Sequence, residues 1–227
     1  MRGTQQPTSP PAAYTPTDRT VPTRSPQRAS YDKDLVHAIL DEGYVCHLGF
    51  VRDGAPVVLP TLYGRVGERL YVHGSTGSRP MRMSDASDPG LAVCLTVTHV
   101  DGLVLARSAF HHSINYRSVV VHGIAHQVTD PAERQTALDA LVDQVVPGRS
   151  RDSRPASKKE LAATAVIRLD LDEVSAKVRT GGVSDEPEDL ALPHWAGVIP
   201  VRKEYGAPQA DADLSPGIAL PDYLGGL

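Results

Sequence analysis

The sequence predicts a single mainly-β domain, a small antiparallel barrel with a few short helices at its corners. Three observations predict it. Runs of β-branched and aromatic residues recur between turn signals from residue 30 to residue 200, and no linker divides that span. Two Asp-Gly dipeptides, Asp53-Gly54 and Asp101-Gly102, each stand between such runs, the pattern of a tight hairpin. Only two segments space their apolar residues as a helix does. The 227 residues, 41% hydrophobic and 22% charged, can bury a packed core, which excludes global disorder.

Taken in order, residues 1–30 hold six of the 19 prolines, almost no large apolar side chain and a net charge of +3. Such a stretch cannot offset its ordering entropy by burial, so residues 1–25 are expected to form a mobile arm ahead of a domain over 26–203. A helix follows over Asp32–Asp41, with Leu35, Ile39 and Leu40 at helical spacing and Gly43 beyond it. Tyr44–Val51 and Pro56–Tyr63 read as strands joined at Asp53-Gly54, and Leu70–His73 as a short third strand. Leu91–Val100 and Leu103–Phe110 flank Asp101-Gly102 as a second hairpin. Tyr116–Val128 is a longer strand with a bulge expected at Gly123. Asp130, Pro131 and Glu133 make a helix start, after which Ala137, Leu138, Leu141, Val142 and Val145 line one face as far as Pro147-Gly148. Thr164–Leu171 and Ser175–Arg179 complete about seven strands. From 204 the chain is punctuated by proline and glycine and reads as an extended tail, and residues 183–227 carry a net charge of −6.

Charge and cysteine content bound the function. A formal net charge of −4 opposes an electrostatic grip on nucleic acid. The two cysteines, Cys46 and Cys94, exclude a disulfide framework and a four-cysteine zinc site. The sequence has no apolar run of ~20 residues to span a bilayer and no apolar leader segment, so the cytosol is the default location.

One loop carries most of the chemistry. His73-Gly74-Ser75-Thr76-Gly77-Ser78-Arg79-Pro80 runs from a strand into a proline suited to the first turn of a helix. Glycines, hydroxyls and an arginine at a helix start are the donor set for a phosphate. Neither a Walker loop nor a GxGxxG turn is present, and an ordinary polar turn is the competing reading. A second group of donors, Asn115, Arg117 and Ser118, opens the long strand, and Arg179 adds a further cation. Trp195, the only tryptophan, is by residue type a core side chain; its alternative is a flat wall for an aromatic ligand.

The succession CHLGFVRDGAPVVLPTLYG, LYVHGSTGSRPMR, GLVLARSAFHHSINYRSVVVHG, SAKVRTGG and WAGVIP resembles the pyridoxamine 5'-phosphate oxidase-like split-barrel flavoproteins, nearest the nitroimidazole-resistance-type branch. The resemblance spans roughly Arg28 to Lys203. It implies a homodimer of six- to eight-stranded split barrels with FMN in clefts at the subunit interface. By position it implies Pro60, Thr61, Leu62 and Tyr63 along the isoalloxazine ring, continued by His73, Gly74 and Ser75, with Ser78 and Arg79 on the phosphate. It implies Asn115, Arg117 and Ser118 reaching the flavin from the same or the partner subunit, and Lys177, Arg179 and Trp195 on the substrate side. The late arginine and histidine motif of true pyridoxamine-phosphate oxidases has no counterpart here. The implied activity is transfer of hydride or electrons between NAD(P)H or oxygen and a small aromatic or nitro compound.

No acid–base or nucleophilic triad stands out. Ser108, His111, His112 and Asp101 have suitable types for acyl transfer, but no G-x-S-x-G elbow accompanies them. His122 and His126, four apart on a strand, stand ~13 Å from each other, too far to share one metal ion. Three readings follow: an FMN-dependent oxidoreductase, a flavin-binding sensor or store without turnover, and a haem-binding split barrel with His73 or His112 as axial ligand.

Overall fold

A computed structural model describes residues 12–86 and 90–225. Nine strands form one sheet: β1 (Ala29–Ser30), β2 (Val45–Arg52), β3 (Ala55–Val66), β4 (Arg69–Ser75), β5 (Leu91–Leu105), β6 (Ser113–Gln127), β7 (Thr164–Asp170), β8 (Glu173–Arg179) and β9 (Gly197–Pro200). The strand order is β1-β8-β6-β7-β4-β3-β2-β5-β9, and an added β5–β6 pairing closes six of the strands into a ring. Every pairing is antiparallel. The long strands β5 and β6 pair along nearly their whole length, and each changes its second neighbour on the way. β6 gives Tyr116–His122 to β8 and His126–Gln127 to β7, while β5 pairs β2 at one end and β9 at the other.

Alternation fills the barrel. Cys46, Leu48 and Phe50 of β2, Leu70 and Val72 of β4, and Val93, Leu95 and Val97 of β5 point into one buried cluster. The helices α1 (Lys33–Glu42), α2 (Arg79–Ala86), α3 (Pro131–Val145) and α4 (Lys158–Ala163) lie around it. α1 starts on Asp32 and α3 on Asp130, whose carboxylates accept from Leu35 N and Glu133 N. α4, which the sequence reading passed over, starts on a capping box of Ser157 and Glu160. α1 has no left-handed cap, since Gly43 is extended with φ −91°. Its last carbonyls are collected by side chains from three other elements instead. His99 donates to Ile39 O (2.9 Å), Tyr63 to Leu40 O (2.5 Å), and Gln144 to Leu40 O and Gly43 O (2.9 and 2.6 Å).

Four sequence expectations are corrected. At Asp53-Gly54 both residues have positive φ (50° and 77°), as a two-residue hairpin requires. At Asp101-Gly102 there is no hairpin: the chain runs on as β5, with a register shift between Val100 and Gly102. Asp101 serves there as an ion-pair partner of Arg117. Gly123 makes no bulge; it pairs in register with Val93, and a Cβ would stand 2.7 Å from Leu169 Cδ1, so glycine admits that leucine. Residues 12–25, assigned by sequence to a mobile arm, include buried Tyr14 and Thr20, with Tyr14 N bonded to Tyr31 O (2.8 Å). Residues 1–11 of that arm lie outside the described residues. Trp195 is 67% exposed and is not a core side chain.

Candidate functional site

The pleat of β3 and β4 decides which of the candidate residues can meet a ligand. Tyr63 points inward, is 0% exposed and caps α1, so it belongs to the core and does not line a ligand wall as the resemblance implied. Thr61 pairs with inward-facing Cys46 and shares its side of the sheet. Pro60 and Leu62 face outward. Pro60 is tolerated because β3 there pairs only with β2; β4 joins from Tyr63 onward. On β4, Tyr71 and His73 face outward toward α3, whereas Leu70 and Val72 face the barrel.

His73 and Leu62 form one wall of a cleft of about 610 Å³. Leu138, Val142 and Val145 of α3 make an apolar wall opposite. The connector after α3 closes the rim with Arg149 and Arg154, and Leu161 and Thr164 of α4 and β7 complete it. Three contacts hold α3 in place. Tyr71 donates to Glu133 (2.9 Å), Gln144 reaches the end of α1, and Arg134 donates to the carbonyls of Leu161 and Thr164. Gly64 lets the helix lie directly on β3. The half of α3 read as core thus splits in two: Ala137 and Leu141 pack on the sheet, while their neighbours line the cleft. Arg149 and Arg154, in the run Gly148–Pro155, were missed by the sequence reading, whose only available signal there was that local run of arginines.

The loop beyond His73 is internally braced. Ser78 N donates to Ser75 O (2.8 Å), Gly77 N to Ser75 Oγ (3.2 Å), and Thr76 N to Ala163 O (3.0 Å). Ser78 O accepts from Arg82 N and so opens α2 (3.0 Å). Two buried polar atoms in this loop have no partner, His73 Nδ1 and Ser78 Oγ. Among the described residues, the other buried atoms in that condition are guanidinium Nε atoms of Arg107, Arg134 and Arg168, whose side chains are bonded elsewhere. Leaving such atoms unpaired costs about 1–3 kcal/mol each, so a site that keeps two within five residues is built for a partner. Gly74 makes room for them: a Cβ there would lie 3.1 Å from Ser78 Oγ. Ser75 and Arg79 are exposed at the loop surface.

The remaining candidates form a separate group on β6 and β8. Ser118 donates to Lys177 O (3.3 Å), and both line a small groove of about 180 Å³ with Arg19. Arg179 donates to Asn115 Oδ1 (2.5 Å) and Gly182 O (3.1 Å), and Asn115 donates to Gly181 O (3.0 Å), so this pair locks the Gly181-Gly182 loop. Arg117 gives four donor contacts to two carboxylates: Asp101 through Nε and Nη2 (2.9 and 2.8 Å), and Glu42 through Nη1 and Nη2 (2.5 and 3.0 Å). It ties the end of α1 to the β5 irregularity. None of these residues lines the cleft at His73. His112, the other candidate haem ligand, is exposed and bonds its Nδ1 to Ser108 O (3.1 Å), also away from the cleft.

Arg117's hydrogen bonds hold both Glu42 and Asp101 below the usual carboxylate range. A lowered carboxylate adds stability above its ordinary pKa and loses it as pH falls through the lowered value. Arg117→Ala is therefore expected to cost about 2 kcal/mol at neutral pH, with half-exposed Glu42 giving the smaller share. The cost should shrink as pH falls from the ordinary carboxylate range through the lowered values, below which both acids are protonated in the native protein as well as in the variant. Urea unfolding across a pH series from neutral to acid checks it, and a cost independent of pH would contradict the ion-pair account.

Known proteins share this fold. The family model for pyridoxamine 5'-phosphate oxidase matches residues 32–178. The chain is 40% identical to the flavocytochrome Anf3 from Azotobacter vinelandii, with a TM-score of 0.86 over 94% of this chain and 98% of that one. It is 39% identical to an FAD and heme binding protein from Mycobacterium smegmatis, with a TM-score of 0.81 over 88% and 96%. A putative 5-nitroimidazole antibiotic resistance protein from Bacteroides thetaiotaomicron shares the fold at 22% identity, with a TM-score of 0.55 over 66% and 86%. No curated protein matches. With a matching model over more than half its length and two such relatives along nearly all of it, the chain belongs to the pyridoxamine 5'-phosphate oxidase family.

Proposed function

We infer that the chain is a flavin-binding oxidoreductase acting as a homodimer, with a haem seated beside His73. The observation that carries this reading is the pair of unpartnered buried atoms, His73 Nδ1 and Ser78 Oγ, at the junction of β4 and α2. The residues present fit both groups. The loop offers Ser75, Ser78 and Arg79 to a flavin phosphate, the donor set expected at a helix start. The cleft is of ligand size and apolar on its α3 side, which suits a flat macrocycle; at its rim Arg149 and Arg154 are paired with Asp152 and Glu160. Among the described residues, His73 is its only lining residue of an axial-ligand type. The two relatives near 40% identity, a flavocytochrome and an FAD and heme binding protein, support the same pairing. The second also favours FAD over the FMN that the family resemblance implied; FMN and FAD share the ribityl phosphate that Arg79 would meet.

Such groups supply hydride and single-electron chemistry, leaving the protein to bind, orient and exclude water. Leu62, Leu138, Val142 and Val145 would pack on the apolar face of such a group, and Arg149 and Arg154 stand at the mouth, paired with Asp152 and Glu160. Asn115 and Ser118 lie on β6 and Lys177 and Arg179 on β8 beside it, away from the β4–α2 loop, so a flavin touching both groups is best served by two copies. The electron donor is proposed as NAD(P)H, with oxygen or a small aromatic or nitro compound as acceptor.

Identifying the cofactors released from purified protein, then adding NADH or NADPH anaerobically, tests the reading. Bound flavin and haem with bleaching of the flavin band are expected. Flavin that neither nucleotide reduces would favour a store or sensor, and absence of both groups after reconstitution would overturn the reading. Arg79→Ala is expected to weaken flavin binding by about tenfold to a hundredfold, the worth of one charge-assisted hydrogen bond. Unaltered affinity in a fluorescence titration would mean that the phosphate lies elsewhere.

A further inference from the structure

We propose that residues 201–221 form a clasp that closes over a second copy of this chain, lying on the outward face of that copy's β2–β3 hairpin. This rests on the two-copy assembly proposed above and says what holds it together.

The surface area is the first support. A compact monomer of 24.3 kDa exposes about 10,000 Å²; this chain exposes 14809 Å². Granting the residues outside the described set the exposure of an unfolded chain removes roughly half of the difference. The remainder, on the order of 2,000 Å² per chain, exceeds the ~800 Å² that each partner gives to a standard interface.

The second support is where that surface lies. After β9 the chain leaves the barrel with Val201 N bonded to Asp101 O (3.0 Å). Among the described residues, no backbone amide from Arg202 to Ala212 bonds to the barrel. The chain is next fastened at Tyr223, which donates to Asp152 (2.6 Å) and accepts from Arg149 (3.1 Å). Between these points Leu214, Ile218 and Leu220 are exposed, the last two by 59% and 53%. An irregular loop of some twenty residues with apolar side chains in water is uncommon unless something covers it.

The third support names the occupant. The β2–β3 hairpin turns Val45, Val51 and Val58 outward, with Val58 61% exposed. One two-fold operation covers both unpartnered surfaces at once, arm on face and face under arm. The arm departs beside that face: Lys203 sits over the rings of Tyr44 and Tyr205 (4.2 and 4.8 Å), and Tyr44 immediately precedes β2.

Sedimentation velocity on the full chain tests the clasp, using Ile218→Asp/Leu220→Asp in the arm and Val58→Asp on the face. The native chain should be a dimer, and each variant should raise the dimer Kd by about a hundredfold or more with unchanged circular dichroism. Hydrogen exchange in residues 203–220 should quicken when the native protein is diluted below its Kd. A native monomer at micromolar concentration would remove the assembly and the clasp together. A native dimer whose Kd the arm variant leaves unchanged, or whose arm exchanges equally fast at every concentration, would overturn the clasp and leave the assembly standing.

Discussion

His73→Leu should leave the chain folded, at least as stable as the native apoprotein, and unable to retain haem. The argument joins two observations on one side chain. Nδ1 is buried without a hydrogen-bond partner, so the imidazole carries a desolvation cost in the unliganded fold. Replacing it with an apolar group of similar size removes that cost, and the apoprotein should gain up to about 1 kcal/mol. Among the described residues, His73 is also the cleft's only side chain of an axial-ligand type; the acids Asp139 and Glu160 and the arginines do not replace it. Haem content should therefore fall more than about tenfold, with flavin content largely kept. Urea melts beside absorption spectra of native and variant protein check both halves. A purely structural histidine gives the reverse pattern: stability falls and haem, if bound, stays.

Gly64→Ala should destabilise the chain by about 3 kcal/mol and should also disable the cleft. A Cβ at residue 64 would lie 2.8 Å from both Ala140 C and Leu141 N. These are backbone atoms of α3, so no rotamer change can relieve the contact; the helix itself must move. α3 also carries Gln144, which satisfies the end of α1, and Val142 and Val145, which line the cleft. Displacement therefore costs hydrogen bonds as well as packing and opens the site to water. For a chain of 227 residues the expected loss is roughly 10 °C in Tm, together with weaker haem retention. A loss below about 1 kcal/mol would mean that α3 yields without cost, which contradicts the tight packing on β3.

The barrel is legible in the sequence because its determinants are local. Alternation in YVCHLGFV and LAVCLTVTHV, the start signal at Asp130, and the turn at Asp53-Gly54 each lie within a few residues. Asp101-Gly102 misleads because its fate is set from a distance. Arg117, itself braced by Glu42, holds Asp101 in a through-running strand, and Gly102 pairs with both Asn115 and Pro200. The loop at His73–Arg79 is legible as a donor set, and its orphaned atoms lie there. Tyr63 is not legible, since nothing in PTLY tells that its hydroxyl caps a helix twenty-three residues earlier. The cleft is least legible of all. Leu62, His73, Leu138, Arg149, Arg154 and Leu161 span a hundred residues, and only the packing of α3 on Gly64 brings them together.

The most direct test follows backbone hydrogen exchange in apoprotein titrated first with flavin and then with haemin. Protection should rise at residues 73–79 with flavin, then at His73 and along the cleft-facing side of α3 with haemin, while the β6–β8 seam changes only where the flavin bridges to a second copy. Saturation with both groups that left residues 73–79 exchanging at their apoprotein rates would contradict the assignment of that loop as the cofactor seat.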